Sequence, residues 1–303
     1  MGGNIFIQAR PINRENIKPT LLNFFRELTE IFPKAGKYFR QIKTLGSVGK
    51  KDVSGDIDLA LSGEAFKNID DWGLDPNYVQ DLFQGFKKRS KTSTDDQLMK
   101  RAVIVAIAQK IEQADKGIGV DVKGSSSGAL FLAYPQYTED GTKLNDSVQI
   151  DINVGDVDWL TFAYYSDAYS GNVKGLHRTQ LMLSLFSVAG YTFSHNYGVK
   201  NKETQEIVAT NPQQAIELLN KIYRFNISSD ILSNYFKLQE FLKKNLPAEK
   251  LNSIYDTFIK ILDSTRADIP EDLQQYWIDN KERLNLKGNF LPDTSNLKKY
   301  TTQ

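Results

Sequence analysis

Two stretches of this chain alternate acidic or amide side chains with aliphatic ones, and that alternation limits what each can become. They are "DIDLAL" at 56–61 and "SVQIDINVG" at 147–155. Successive side chains of a strand point to opposite faces. In the first stretch Asp56 and Asp58 share one face, while Ile57, Leu59 and Leu61 share the other. In the second, Val148, Ile150, Ile152 and Val154 form an apolar face, and Gln149, Asp151 and Asn153 form a polar one. Each reads as a strand with one face on a core. If the two are neighbours in one sheet, three carboxylates converge. Acids are poor strand formers, and clustered carboxylates raise one another's pKa unless a cation sits among them. A divalent metal removes that conflict.

The remaining pattern supplies a frame for these strands. Residues 15 to 31 carry apolar positions at helical spacing, and so does "KYFRQI" after Pro33. A helix is expected over 77–89 after Pro76, and a long one over 95–114. Thr94 is its expected N-cap, with Asp95 and Asp96 in the first turn. "IGVDVKG", "ALFLAY" and "VQIDINV" read as strands. Past about residue 171 the character changes: a helix at 176–189, then "YTFSHNYGVKNKETQEIVA" as a hairpin turning near Lys200 to Glu203. Helices follow near 212–225, 229–244, 248–264 and 271–284, and an irregular tail starts at Lys287. The expected architecture is α/β (α+β), a small mixed sheet flanked by helices over 1–170, followed by a mostly helical domain over 171–303. At 303 residues the chain has length for two domains.

Composition narrows the chemistry. There is no cysteine, which excludes disulfide partners, thiolate zinc sites and a cysteine nucleophile. His177 and His195 are the only histidines, so any metal should be hard and held by carboxylate oxygens. A net charge of +1 argues against coating a long duplex. No apolar run reaches the length of a signal peptide or a membrane span, so no membrane partner and a cytoplasmic location are expected.

Just upstream of the first acids lies "LGSVGKKDVSGDIDLAL", 45–61. Glycine lets a backbone approach a phosphate, turn N–H groups point at it, and the Ser47 hydroxyl adds a donor. A phosphate grip thus stands close to an acid cluster. Two Mg²⁺ ions in such a cluster, with Mn²⁺ as a substitute, can activate an attacking hydroxyl and stabilise a leaving pyrophosphate. An apolar residue, Gly46, Ser47, eight loop residues and then Asp56-Ile57-Asp58 resembles the signature of the DNA polymerase β-like nucleotidyltransferase superfamily. The resemblance rests on these 17 contiguous residues and one distant strand. It implies that Gly46 and Ser47 hold the β- and γ-phosphates of a nucleoside triphosphate such as ATP. It implies that Asp56 and Asp58 ligate two Mg²⁺, and that Asp151 ligates the catalytic ion and assists deprotonation of the acceptor. The activity implied is transfer of a nucleoside monophosphate to a hydroxyl, with a small RNA or RNA 3′ end as the leading acceptor. The helical domain would close the nucleotide cleft.

Alternatives stay open at this level. Asp121 in "GVDVKG" is a rival third acid. Lys50 and Lys51 read either as triphosphate contacts or as ordinary solvated lysines. Arg178, with His177 beside it at a helix start, reads either as a nucleotide contact or as a packing and capping group. "KKRSK" at 87–91 reads as a phosphate-tracking patch or a solvated helix end. The acceptor is alternatively a small molecule, a protein or a second nucleotide, and a non-catalytic nucleotide-binding or structural protein on the same fold is the remaining reading. The chain lacks the "RRD"-type stretch expected of bacterial CCA-adding enzymes. The 92 residues between Asp58 and Asp151 imply an insertion near 64–94.

Overall fold

The computed structural model describes residues 5–91, 93–167 and 173–286. The chain divides into two compact units at 168/169. In the first, β1 (Ile12–Asn13) leads into α1 (Arg14–Ile31), α2 (Gly36–Phe39), β2 (Lys43–Thr44), β3 (Val53–Ser54) and β4 (Ile57–Ser62). Two 3₁₀ turns, α3 (Pro76–Arg89), α4 (Asp95–Ala114), β5 (Gly119–Val120) and α5 (Val122–Ser125) follow. The unit ends with β6 (Ala129–Tyr137), β7 (Lys143–Gly155) and α6 (Val157–Ala163).

Five strands form one mixed sheet in the order β2-β4-β7-β6-β5. Only β4 and β7 are parallel; the other neighbours run antiparallel. The apolar faces of β4 and β7 turn to a core that α1 and α4 cover, through Phe24 and Leu28 on one helix and Val103, Ile104 and Ile107 on the other. Ile57, Leu59, Val148 and Ile150 are fully buried there, each contributing about 1.5–3 kcal/mol by its removal from water. α4 begins as its sequence signals: Thr94 Oγ1 accepts from Gln97 N at 3.3 Å, and Gln97 Oε1 accepts from Thr94 N at 3.2 Å. The described residues of 64–94 fold into the 3₁₀ turns and α3, with Trp72 buried among Phe32, Phe39 and Phe66.

The second unit contains α7 (Gly175–Val188), strands β8 (Tyr191–Ser194), β9 (Gly198–Asn201) and β10 (Ile207–Ala209), then α8 (Pro212–Tyr223), α9 (Ser229–Ser233), α10 (Tyr235–Asn245), α11 (Ala248–Thr265) and α12 (Glu271–Leu284). α7 packs against α11 and α10.

Three local readings are corrected. The expected hairpin at 191–209 is a three-stranded antiparallel ribbon, because β9 pairs with β10 as well as β8. The expected helix over 229–244 is broken at Asn234. Its backbone is extended there and its side chain accepts from Lys237 N at 3.0 Å, ending one helix and capping the next. "IGVDVKG" is a two-residue strand followed by the one-turn helix α5. The tail from Lys287 lies outside the described residues. Among the described residues no helix is long and apolar enough to cross a membrane.

Candidate metal centre and phosphate turn

The parallel pairing of β4 with β7 sets Asp58 directly opposite Asp151, with Ile57 opposite Ile150 and Leu59 opposite Ile152. Both strands carry the same alternation, so this register puts both acids on one face. Asp56 stands immediately before β4, two residues from Asp58, and joins them. Asp56, Asp58 and Asp151 each offer a carboxylate oxygen, and these oxygens lie within 4.8 Å of one another. Asp121 is not in the group: it caps α5, accepting from Gly124 N at 2.9 Å.

The Gly-Ser turn abuts this cluster. β2 runs antiparallel beside β4, and Leu45 N donates to the Asp58 carbonyl at 2.8 Å. Gly46 follows in the left-handed region at φ +59°, bridged to Tyr165. A Cβ there would lie 3.6 Å from Asp58 Oδ2 and 3.8 Å from the Tyr164 carbonyl, ordinary contact distances. The backbone conformation, rather than space, therefore asks for glycine. Ser47 is half-buried, and its carbonyl accepts from Lys50 N at 3.0 Å. Lys50 Nζ donates to the Ser166 carbonyl at 2.9 Å and stands 4.5 Å from the Tyr165 ring centroid. Lys51 is half-buried on the same loop.

Desolvation dominates the electrostatics. Burial, with the charges of Asp56 and Asp151, pushes the Asp58 carboxyl up to about 8. Burial pushes Asp151 up to about 7, opposed by the Gln149 amide and reinforced by Asp56. Without a cation, protons compete for these acids near neutral pH. The donors are all hard oxygens, and their separation is one that a cation with ligand distances of roughly 2.0–2.6 Å can span. Asp56, Asp58 and Asp151 therefore fit a hard divalent cation.

The alternation sets Gln149 and Asn153 on the acid face without marking what they do there, and it does not reach Tyr164. Gln149 is fully buried; its Nε2 donates to both Asp151 oxygens at 2.9 and 3.0 Å, while its Oε1 accepts from Ile5 N at 3.1 Å. Asn153 is 5% exposed, and its Oδ1 accepts from the Tyr164 hydroxyl at 3.1 Å. Nothing in the sequence marks Tyr164: it comes from the turn after α6, whose Leu160 packs on Ala60 and Leu45.

Arg178 belongs to the second unit, where it is 3% exposed and its Nε donates to the Leu232 carbonyl at 2.5 Å. Beside it His177 Nδ1 accepts from Lys174 N at 3.1 Å, and Nε2 lies 2.8 Å from the Asp268 carbonyl. That pairing fixes the proton on Nε2 and makes His177 a buried helix cap. In the "KKRSK" stretch Lys87 pairs with Asp95 at 2.7 Å at the end of α3. Comparison with known proteins finds no matching family model and no matching curated protein.

Proposed function

We propose that the first unit is the catalytic domain of a metal-dependent nucleotidyltransferase that moves a nucleoside monophosphate from a nucleoside triphosphate to an acceptor hydroxyl. The observation that carries this reading is the in-register placement of Asp58 and Asp151 on parallel neighbouring strands, with Asp56 beside them and the Gly46-Ser47 turn against Asp58. A phosphate grip and a hard-cation site side by side are what phosphoryl transfer needs. The mixed sheet with helices on its apolar face agrees with the resemblance to DNA polymerase β-like nucleotidyltransferases and supports the same reading.

In this reading Gly46 and Ser47 hold the terminal phosphates through backbone and hydroxyl donors, with Lys50 and Lys51 on the following loop. Asp56, Asp58 and Asp151 would hold two Mg²⁺ or Mn²⁺ ions, whose chemistry when bound would be to neutralise phosphate charge and lower the acceptor hydroxyl's pKa. Asp151 helps take the acceptor proton. A new bond forms from the acceptor oxygen to the α-phosphorus, the bond from that phosphorus to the β-bridging oxygen breaks, and pyrophosphate leaves with the electron pair. An RNA 3′ end is the leading acceptor; the net charge of +1 favours a small acceptor as the second reading.

The test incubates purified protein with each labelled triphosphate, Mg²⁺ or Mn²⁺ and a pool of small RNAs, beside an Asp56→Ala/Asp58→Ala control. Label on RNA that the control lacks is the expected result. Pyrophosphate release without labelled RNA would move the acceptor to a small molecule, a protein or a second nucleotide. No turnover and no metal-dependent triphosphate binding would overturn the catalytic reading and leave a binding or structural protein.

A further inference from the structure

Each strand-borne acid of the triad has a buried amide near it on the same face: Gln149 two residues before Asp151, and Asn153, which stands opposite Ala60 and so lies diagonal to Asp58. Gln149, Asp151 and Asn153 alternate along β7, and Asp58 lies across from Asp151. An amide has one accepting end and one donating end. For Gln149 the accepting end is taken by the backbone N–H of Ile5, a group that can only donate. The donating end must therefore face Asp151, and it reaches both carboxylate oxygens.

Asn153 has a comparable arrangement, with a hydroxyl, which both donates and accepts, in place of the N–H. Its Oδ1 is taken by the Tyr164 hydroxyl. In this arrangement the hydroxyl donates, which leaves Nδ2 on the side away from Tyr164. The Nδ2 end makes no hydrogen bond of regular geometry, and the strand register sets Asn153 diagonal to Asp58 on the acid face. Once the carboxylates are ionised around a cation, a flipped amide would turn its oxygen toward a negative charge, which repels it. Gln149 is 0% exposed and Asn153 5%, so water does not serve as their ordinary partner.

We infer that Gln149 and Asn153 are positioning residues, each oriented by a donor on its oxygen (Ile5 N–H, Tyr164 O–H) so that its NH₂ group holds Asp151 or Asp58 ready for a divalent cation. The inference rests on the cation reading of the triad proposed above. Partners of this kind around metal ligands fix ligand orientation, and their loss weakens metal affinity by about 10–100-fold. Tyr164 acts one step further out, through Asn153.

The experiment measures Mn²⁺ binding to the full chain without nucleotide, by electron paramagnetic resonance of free Mn²⁺, with folding checked by circular dichroism. Wild type and Asp58→Ala set the scale. Gln149→Met and Asn153→Ala are expected to weaken binding by about tenfold or more. Tyr164→Phe is expected to weaken it less, and to add nothing in an Asn153→Ala background, because its effect passes through that amide. Folded Gln149→Met and Asn153→Ala proteins that bind Mn²⁺ like wild type would overturn the inference while leaving the triad reading intact. So would a Tyr164→Phe effect that adds in full to Asn153→Ala. Wild type that binds no Mn²⁺ would overturn both, and this shows before any variant is made. If Asn153→Ala does not fold, Tyr164→Phe, which removes one hydroxyl, decides alone: unchanged Mn²⁺ affinity refutes the relay through Asn153.

Discussion

Asp58→Asn gives the most direct access to the energetics of the site. In the folded chain the Asp58 carboxyl holds its proton up to about pH 8, against 3.8 as its ordinary value. Its folded pKa is raised, so the folded state binds the proton more tightly than the unfolded chain does. Stability from this group is fully present below about pH 4 and is lost as pH rises toward 8. Each pKa unit corresponds to about 1.4 kcal/mol, so the loss by neutral pH is on the order of a few kcal/mol. Asp151, raised to about 7, adds to the loss in the same direction and window. Asparagine has the same shape and no charge at any pH, so the variant escapes Asp58's share. The assay is urea unfolding in EDTA from pH 4.5 to 8.5, wild type beside variant. The expected result is near-equal stability at the acid end and a variant that becomes the more stable protein toward pH 8. Saturating Mn²⁺ at pH 8 should raise wild-type stability and leave the variant nearly unmoved. A stability gap that stays constant with pH would falsify the claim that buried, uncompensated charge strains this site.

Three further outcomes are expected. Gly46→Ala places a Cβ at φ +59°, which costs about 1–2 kcal/mol of stability; urea unfolding reads it, and metal-dependent triphosphate affinity should fall with it. Arg178→Met leaves the buried Leu232 carbonyl without the Arg178 Nε donor and should lower stability by about 1–3 kcal/mol; weakened triphosphate binding with unchanged stability would instead make Arg178 a nucleotide contact. Gly198→Ala drives a Cβ to 2.0 Å from the Ala209 carbonyl oxygen at φ +101° and should cost more than about 2 kcal/mol in thermal unfolding; a variant as stable as wild type would refute the pairing of β9 with β10.

Much of the site is legible in the sequence. Alternation alone put Asp56 with Asp58, and Gln149 and Asn153 with Asp151, because the strand period is two whatever the surroundings. Thr94, with Asp95 and Asp96 behind it, announced the start of α4 because a helix cap is closed within a few residues; the structure adds Gln97 to it. Asp121 shows the limit: the same acid type beside a short strand is spent on capping α5, and its sequence neighbours did not separate the two uses. His177 and Arg178 read in the sequence as nucleotide contacts or as packing and capping groups; their acceptors, the Asp268 and Leu232 carbonyls, lie 91 and 54 residues away.

The chain by itself determined the faces: which side chains of each strand would meet a core, which would carry acid, and where the glycine turn would stand relative to Asp56 and Asp58. These depend on local geometry and short spacing. Tertiary structure decided the neighbours. That β4 lies parallel to β7 with Asp58 opposite Asp151, that Ile5 and Tyr164 orient the two amides, and that β10 closes over Gly198 all depend on contacts distant in sequence. So does the Asp58 pKa near 8, which arises from burial and from charges brought in by other segments. Pairing between distant strands is set by how whole apolar faces are buried, and no short window of sequence contains that sum.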